Sequence, residues 1–435
     1  MINETIENLN IVIIDGDRGS NYPSEGNLFS KGFCLFLNAK NVTKNGLKFE
    51  TTQFIDKKRD KLLRNGKLVK NDFILTTRGT IGNFGFFNDS VNFEHIRINS
   101  GMVILRNNNK RISNEFLYYA FRSQSICKQI EIISSGSAQP QLTVKTISNL
   151  VISFPDNLPQ QKKIAKILST VDTVIEKTES AIAKYQAIKQ GLMHDLFTRG
   201  IDVNTGKLRP KSQDEPELYK ESALGLIPRE WEVEQLNEMV SDVLDFKASG
   251  SFETLTANVK YYYEFKYARL IRLTDLRHNL SKDGVYLDKK GFNFLKKSKL
   301  IEGDILIACV GEYTGYVCRM PRVNYPAIIA PNMFLIRFDK KYNSFFINYF
   351  MNTDTFQRQI AAVSTSSATK LLNNPNLRSL KLAFPERKEQ NLIAEKLESV
   401  NTKIQTEQQV LAKYQQLKAG LLQDLLTGKV AVSVD

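Results

Sequence analysis

Little in this chain points to chemistry of its own. Its 435 residues include four cysteines, three histidines and one tryptophan. Cys34, Cys127, Cys309 and Cys318 lie far apart, with no C-x-x-C pair and no nearby histidine to complete a zinc site, so buried thiols and no metal are expected. His95, His194 and His278 are scattered and suggest no catalytic role. There is no glycine-rich Walker loop, no N-P-P-Y-like methylation motif and no convincing cluster of metal-binding carboxylates, and Asp15 and Asp17 are expected to shape a turn. The longest apolar runs, at residues 10–14 and 304–310, fall far short of the roughly 20 residues that cross a bilayer. The opening MINETIENLN lacks the basic start and apolar centre of a secretory signal, so a cytoplasmic location is expected.

What is present supports folded cores. Hydrophobic residues make up 42% of the chain, 26 Phe and 16 Tyr among them, and no stretch is poor enough in apolar residues to predict disorder. The length suits two domains. A net charge of +14 asks for an acidic partner, because lysines and arginines facing phosphates gain from counterion release. Nucleic acid leads, although an acidic protein or a membrane surface fits the charge equally well.

The decisive feature is an internal repeat. Residues 161–198 and 390–427 align without a gap at an offset of 229, and 17 of the 38 positions are identical, AKYQ among them. Both segments have a heptad seam. In the first it comprises Ile164, Leu168, Val171, Ile175, Ile182, Tyr185, Leu192 and Leu196, and in the second Ile393, Leu397, Val400, Ile404, Leu411, Tyr414, Leu421 and Leu425. Two helices of about 57 Å with matching stripes should pair as a coiled coil. The seam is broken at Thr178 and Glu407 and again at Lys189 and Lys418, where Ile188 and Leu417 are expected to take over through a local shift of register. Asn157, Pro159 and Gln160 predict the start of the first helix, and Gly200 and Gly428 the ends. The competing possibility, two helices inside a larger helical core, is weakened by the strand-like regions around them.

The repeat extends upstream. FP at 154–155 matches FP at 384–385, QI at 129–130 matches QI at 359–360, MVILR at 102–106 parallels MFLIR at 333–337, and DFILTTRGTIG parallels DILIACVGEYTG. Each half thus reads as a mixed or antiparallel α/β domain, with one short helix (114–130; 344–360) before the long one. The expected fold class is α+β, with two α/β domains alternating with two long helices that pair as an antiparallel coiled coil in a pseudo-two-fold repeat. The predicted boundaries are 1–157 for the first domain, 158–199 for the central helix, 200–223 for a polar linker, 224–386 for the second domain and 387–428 for the C-terminal helix.

Two related units in one chain tend to sit about a pseudo-two-fold axis, as DNA itself does. Antiparallel helices would then act as a spacer between two heads of different sequence, and the target would be bipartite and asymmetric. On LGLIPREWEV, FTRGIDVNTGKLRP, GSAQPQL and the two AKYQ helices, the chain resembles the specificity subunits of type I restriction-modification systems over nearly its whole length. It departs from the pattern in beginning almost directly at IVIIDGDRGSNYP, without an LGxIPxxW opening to the first domain, which leaves the first strand of that domain open. The resemblance implies double-stranded DNA as ligand, with two methyltransferase subunits and usually two translocase-nuclease subunits as partners. It places S-adenosylmethionine, ATP and Mg in those partners, and no catalysis in this chain. A coiled-coil scaffold that never touches DNA, and a self-contained nuclease or methyltransferase, are the rival readings.

Base readout needs side chains with paired donors or acceptors on surface turns. In the first half Arg78 and Thr80 are candidates, with Gly79 and Gly82 permitting close approach; Arg18 and the stretch 134–141, including Ser135, Gln139 and Gln141, come next. A surface charge or an internal salt bridge is the competing role for Arg78. In the second half Glu312, Tyr313 and Thr314 hold the equivalent turn, joined by Arg272, Arg277 and the stretch 364–370 with Lys370. The tyrosine run 261–263 could stack on a base but is expected to pack within a sheet.

Overall fold

The computed structural model describes residues 1–135, 141–246, 250, 252–278, 280, 283–364 and 370–433. They fall into two compact units, Met1–Ser180 with Gln408–Asp435, and Ala181–Glu407. The division falls inside both long helices, Leu158–Arg199 and Arg387–Leu426, rather than at their ends.

In the first unit, strands Ile11–Asp15, Met102–Asn107, Phe73–Thr76 and Phe84–Phe86 form an antiparallel sheet in that spatial order. A second sheet places Cys34–Leu37 between Phe54–Ile55, antiparallel, and Ile96–Ile98, parallel. The apolar runs FIL and MVIL follow from this layering, since both faces of the central strands are covered. Phe73, Leu75, Val103 and Leu105 face the helices, whereas Ile74, Met102 and Ile104 face the second sheet. The second unit repeats the plan with strands Val240–Asp245, Met333–Phe338, Ile305–Ala308 and Val317–Arg319, and a mixed sheet around Ala268–Ile271 and Ala327–Ile329.

The repeated residues hold equivalent places. Arg106 Nε and Nη2 each donate to Asp72 at 2.8 Å, and Arg337 makes the same fork on Asp304, also at 2.8 Å. Both carboxylates are buried, and each accepts a further backbone N–H, so the charge is matched by bidentate bonding rather than stranded. Gln129 bonds both backbone groups of Val151, and Gln359 both of Lys381. The first domain does have an opening strand: Ile2–Thr5 pairs with Val151–Phe154 in the register in which Glu232–Gln235 pairs with Lys381–Phe384.

Two expectations are corrected. The single short helix is two in each unit, Asn114–Phe121 with Gln124–Ser134 and Ser344–Met351 with Asp354–Val363. The hydroxyls of Ser123 and Thr353 accept the backbone N–H of Ile126 and Phe356, starting a new helix where continuity was expected. Nor is 200–223 a free linker, for all its polarity. Ile201 and Tyr219 are buried, Tyr219–Ser222 pairs with Gly225–Pro228, and Arg209 bonds Glu389 at 2.6 and 2.9 Å. Glu389 also accepts from the Trp231 indole (3.2 Å) and Ile201 N (2.7 Å). Gly200, at φ +67°, must be glycine here because a Cβ would strike Arg209 Nη1 and Glu389 Oε1.

Within each unit the two long helices run antiparallel, and every predicted seam residue is buried or half-buried. In the first, Ile164 and Leu168 share a core with Leu425 and Leu426; in the second, Leu196 shares one with Ile393 and Leu397. No register shift rescues the broken seam positions: Ile188 and Leu417 are 44% and 50% exposed. The lysines stay inward, Lys418 bonding Asp172 at 2.5 Å and Lys189 bonding Asn401 at 2.7 Å. These contacts are repeat equivalents, one between charges and one to a neutral amide. Burial lowers the Lys189 pKa, an effect that the nearby Glu398 opposes.

Candidate nucleic-acid interface

A turn between a central strand and the edge strand beside it carries the leading candidates in each unit. In the first, residues 77–82 join Phe73–Thr76 to Phe84–Phe86. Thr76 N donates to Asn83 O (3.0 Å), Gly82 N to Thr76 O (3.0 Å), and Thr77 N and Leu142 N tie the turn to Gly101 O (2.8 Å) and Thr77 O (3.2 Å). Gly79 and Gly82 both have positive φ, and a Cβ on Gly82 would press on Ile130 at 3.2 Å. Arg78 and Thr80 are exposed at the tip, and among the described residues the Arg78 guanidinium has no hydrogen-bond or ion-pair partner. Among those residues no internal salt bridge holds it.

The turn also gathers its neighbours. Arg18 reaches Ser100 O at 3.4 Å while pairing with Asp15 at 3.1 Å, and Ser100 adjoins the Gly101 that anchors Arg78. Exposed Gln141 precedes Leu142, which bonds the turn. Ser135 caps the helix Gln124–Ser134 and bonds Ile132 O at 2.8 Å. Its neighbour Ser134 lines a cleft of about 600 Å³ with Gly79 and Ile81. Gln139 lies outside the described residues.

The second unit builds the same frame with different residues. Ala308 N donates to Tyr316 O, Gly315 N to Ala308 O, Cys309 N to Asn332 O and Leu372 N to Cys309 O, all at 2.9 Å. Gly311 and Gly315 repeat the positive φ of Gly79 and Gly82, and a Cβ on Gly315 would meet Ile360 at 3.0 Å. The loop, 309–315, is one residue longer. Its tip presents exposed Glu312 and Tyr313, with Thr314 bonded to Gly311 O (2.7 Å) and Lys370 O (3.2 Å). The Arg277 guanidinium stacks 4.0 Å from the Tyr313 ring centroid, so exposed Arg277, Tyr313 and Lys370 are gathered around half-buried Thr314.

A model of the type I restriction modification DNA specificity domain matches residues 13–185 and again 228–416. The chain belongs to this family. It is 24% identical over 344 residues to the type I restriction enzyme MjaVIII specificity subunit of Methanocaldococcus jannaschii, covering 77% of this chain and 74% of that one. It is 27% identical over 175 residues to the MjaIX specificity subunit of the same organism, covering 39% and 36%. In fold it is similar to the crystal structure of a type I restriction-modification S subunit from M. genitalium, with a TM-score of 0.59 at 15% identity over 98% of this chain and 95% of that one. A chain from a study of type I complex assembly and conformational transition gives a TM-score of 0.53 at 14% identity, covering 98% and 97%.

As a type I specificity subunit, the protein is a DNA-sequence specificity factor, and the scaffold reading is not favoured. No helix among the described residues is long and apolar enough to cross a membrane. Not every candidate of this specificity subunit stands free. Arg272 donates from Nε and Nη2 to Asp275, both at 2.9 Å, and to Asp283 O at 2.7 Å, so most of its donors are committed to its own loop. Of the stretch 364–370, residues 365–369 lie outside those described. Sequence reasoning missed Gly101 and Asn332, whose carbonyls anchor the two turns, and Tyr316, which is exposed beside Arg277. The NSGM and APNM phrases before the matched strands carried the signal for the first two.

The tyrosine run does not pack as a strand. Tyr262 makes a single bridge to Tyr286 and bonds Asp288 at 3.1 Å, while Tyr261 and Tyr263 are exposed.

Proposed function

We propose that each domain of this subunit reads one half of a bipartite, asymmetric DNA target, and that the length of the paired helices sets the spacing between the halves. The supporting observation is the turn at 77–82 and its counterpart at 309–315, where one hydrogen-bonded frame holds two unlike tips. Arginine offers donors suited to guanine; glutamate accepts from cytosine and is repelled by phosphate. A frame kept while its tip changes chemistry suits two half-sites of different sequence.

In this reading the chain performs no catalysis. It directs two methyltransferase subunits and, in the complete system, two translocase-nuclease subunits, working in the cytoplasm. S-adenosylmethionine, ATP and Mg belong to those partners, which methylate adenine or cleave DNA.

The test is a methylome of cells expressing the chain with its cognate methyltransferase. A methylated two-part motif is expected, and exchanging residues 77–82 for 309–315 should alter one half and leave the other. If no bipartite motif is found, or both halves survive the exchange unchanged, the proposal fails.

A further inference from the structure

A second pair of equivalent turns lies beside the mixed sheets. In the first unit Phe29 and Phe54 exchange backbone hydrogen bonds at 2.9 and 2.8 Å, and Phe33 N donates to Ile55 O at 3.2 Å. In the second, Tyr262 and Tyr286 exchange them at 2.9 and 2.8 Å, and Tyr267 N donates to Leu287 O at 3.0 Å. The anchors match while the tips differ: Ser30, Lys31 and Gly32 in one, Tyr263, Glu264, Phe265 and Lys266 in the other.

The aromatic tip is unusual in its exposure. Tyr263 is 84% and Phe265 62% accessible, on a loop whose base is fixed by the Tyr262–Asp288 bond and by edge-on contact of Phe265 with Tyr286 at 5.5 Å. Large aromatics held outward on an anchored loop present flat apolar surface to something outside the domain. Exposed Lys260 and Lys266 flank them, with Lys266 Nζ 5.4 Å from the Tyr262 ring, so the aromatic tip carries two cations beside the single exposed carboxylate of Glu264. Arg272 caps the helix Leu273–Arg277, and Arg277 covers Tyr313. Arg277, at the end of that helix, thus places a cation on the tip of the second turn.

We infer that Tyr263 and Phe265 form a wedge that stacks on bases of the DNA duplex and unstacks a step in the half-site of the second domain. This rests on the DNA-reading role proposed above. Aromatic insertion between base steps needs no hydrogen-bond code and distorts the duplex, while flanking lysines hold the phosphates. The Ser-Lys-Gly tip of the first domain carries no aromatic; the flanking Phe29 and Phe33, 47% and 37% exposed, sit at the anchors rather than the tip, and Phe33 packs on His95, so the distortion is assigned to the half-site of the second domain.

The experiment uses the full chain assembled with its methyltransferase and duplexes carrying the methylome-defined target, with 2-aminopurine at single positions other than the methylated adenine. Fluorescence should rise on binding at a step in the second half-site and at none in the first. The double variant Tyr263→Ser with Phe265→Ser should abolish that rise and weaken binding on the order of tenfold, while Tyr263→Phe retains both. Replacing residues 263–266 by Ser-Lys-Gly, a tip already carried by the same anchors, should match the double variant and guards against misfolding. Unchanged affinity and fluorescence in the double variant, with the bipartite motif still methylated, would overturn the wedge alone. Absence of any sequence-specific methylation by the unaltered chain would overturn the reading on which the wedge rests.

Discussion

Arg78 and Arg272 show how much a residue's neighbours decide. Both are arginines on turns of basic domains, yet Arg78 is without a partner among the described residues and Arg272 is bound to Asp275 and Asp283. Replacing Arg78 by Ala should therefore relax or shift one position of the first half-site, at about 1–3 kcal/mol of discrimination, and the methylome of the variant reads this directly. Substitutions at Arg272 should act on stability first. Burial alone would raise the Asp275 pKa, but bonds from the Arg272 side chain and backbone hold it below the ordinary carboxylate range. The unfolded chain then binds the proton more readily, so this contribution is complete above about pH 4 and is lost as pH falls through the folded value. Denaturant midpoints measured from pH 6 downward should drop less steeply in Asp275→Asn.

Elements show the same dependence on partners. The long helices were legible because a seam of sixteen residues recurs at helical spacing, and all sixteen are buried or half-buried. The exceptions were misjudged. Lysine at a seam position predicts a detour through Ile188 or Leu417, but the aliphatic stem of a lysine packs well, and its ammonium needs only one acceptor at the right height on the facing helix. Asp172 and Asn401 supply it. The two sites should respond differently to the same change. Lys418→Met leaves a half-buried carboxylate that, among the described residues, keeps only the Tyr119 hydroxyl (2.9 Å), and should cost about 1 kcal/mol. Lys189→Met removes a partly buried cation whose direct bond is to a neutral amide, with Glu398 and the Tyr349 ring as weaker partners, and should cost less than the Lys418 change. Urea denaturation of both variants distinguishes the cases.

At the scale of the molecule, charge and repetition act together. A chain of net charge +14 that meets DNA through several cations should lose affinity steeply and log-linearly with salt, and filter binding of the assembled complex between 50 and 200 mM salt should show about 10³-fold loss or more. The repeat was read from sequence wherever its residues serve the frame: the Asp–Arg forks, the paired glutamines and the helix seams recur because each holds backbone or core in the same place twice. Local signals failed where a distant residue sets the outcome. The supposed linker is ordered by Glu389, some 180 residues away from Arg209, and the tyrosine run is turned outward because only Tyr262 finds a strand to pair with.

The sequence by itself determined that there are two related domains and two matching helices, because periodicity and an offset repeat are properties of order along the chain. It also located the turns that differ between the domains. Only the tertiary structure decided which polar residues at those turns are free and which are spent on their own fold, and it alone revealed the outward aromatic tip. Those outcomes depend on which donors and acceptors meet across long separations, and neither spacing nor composition encodes that.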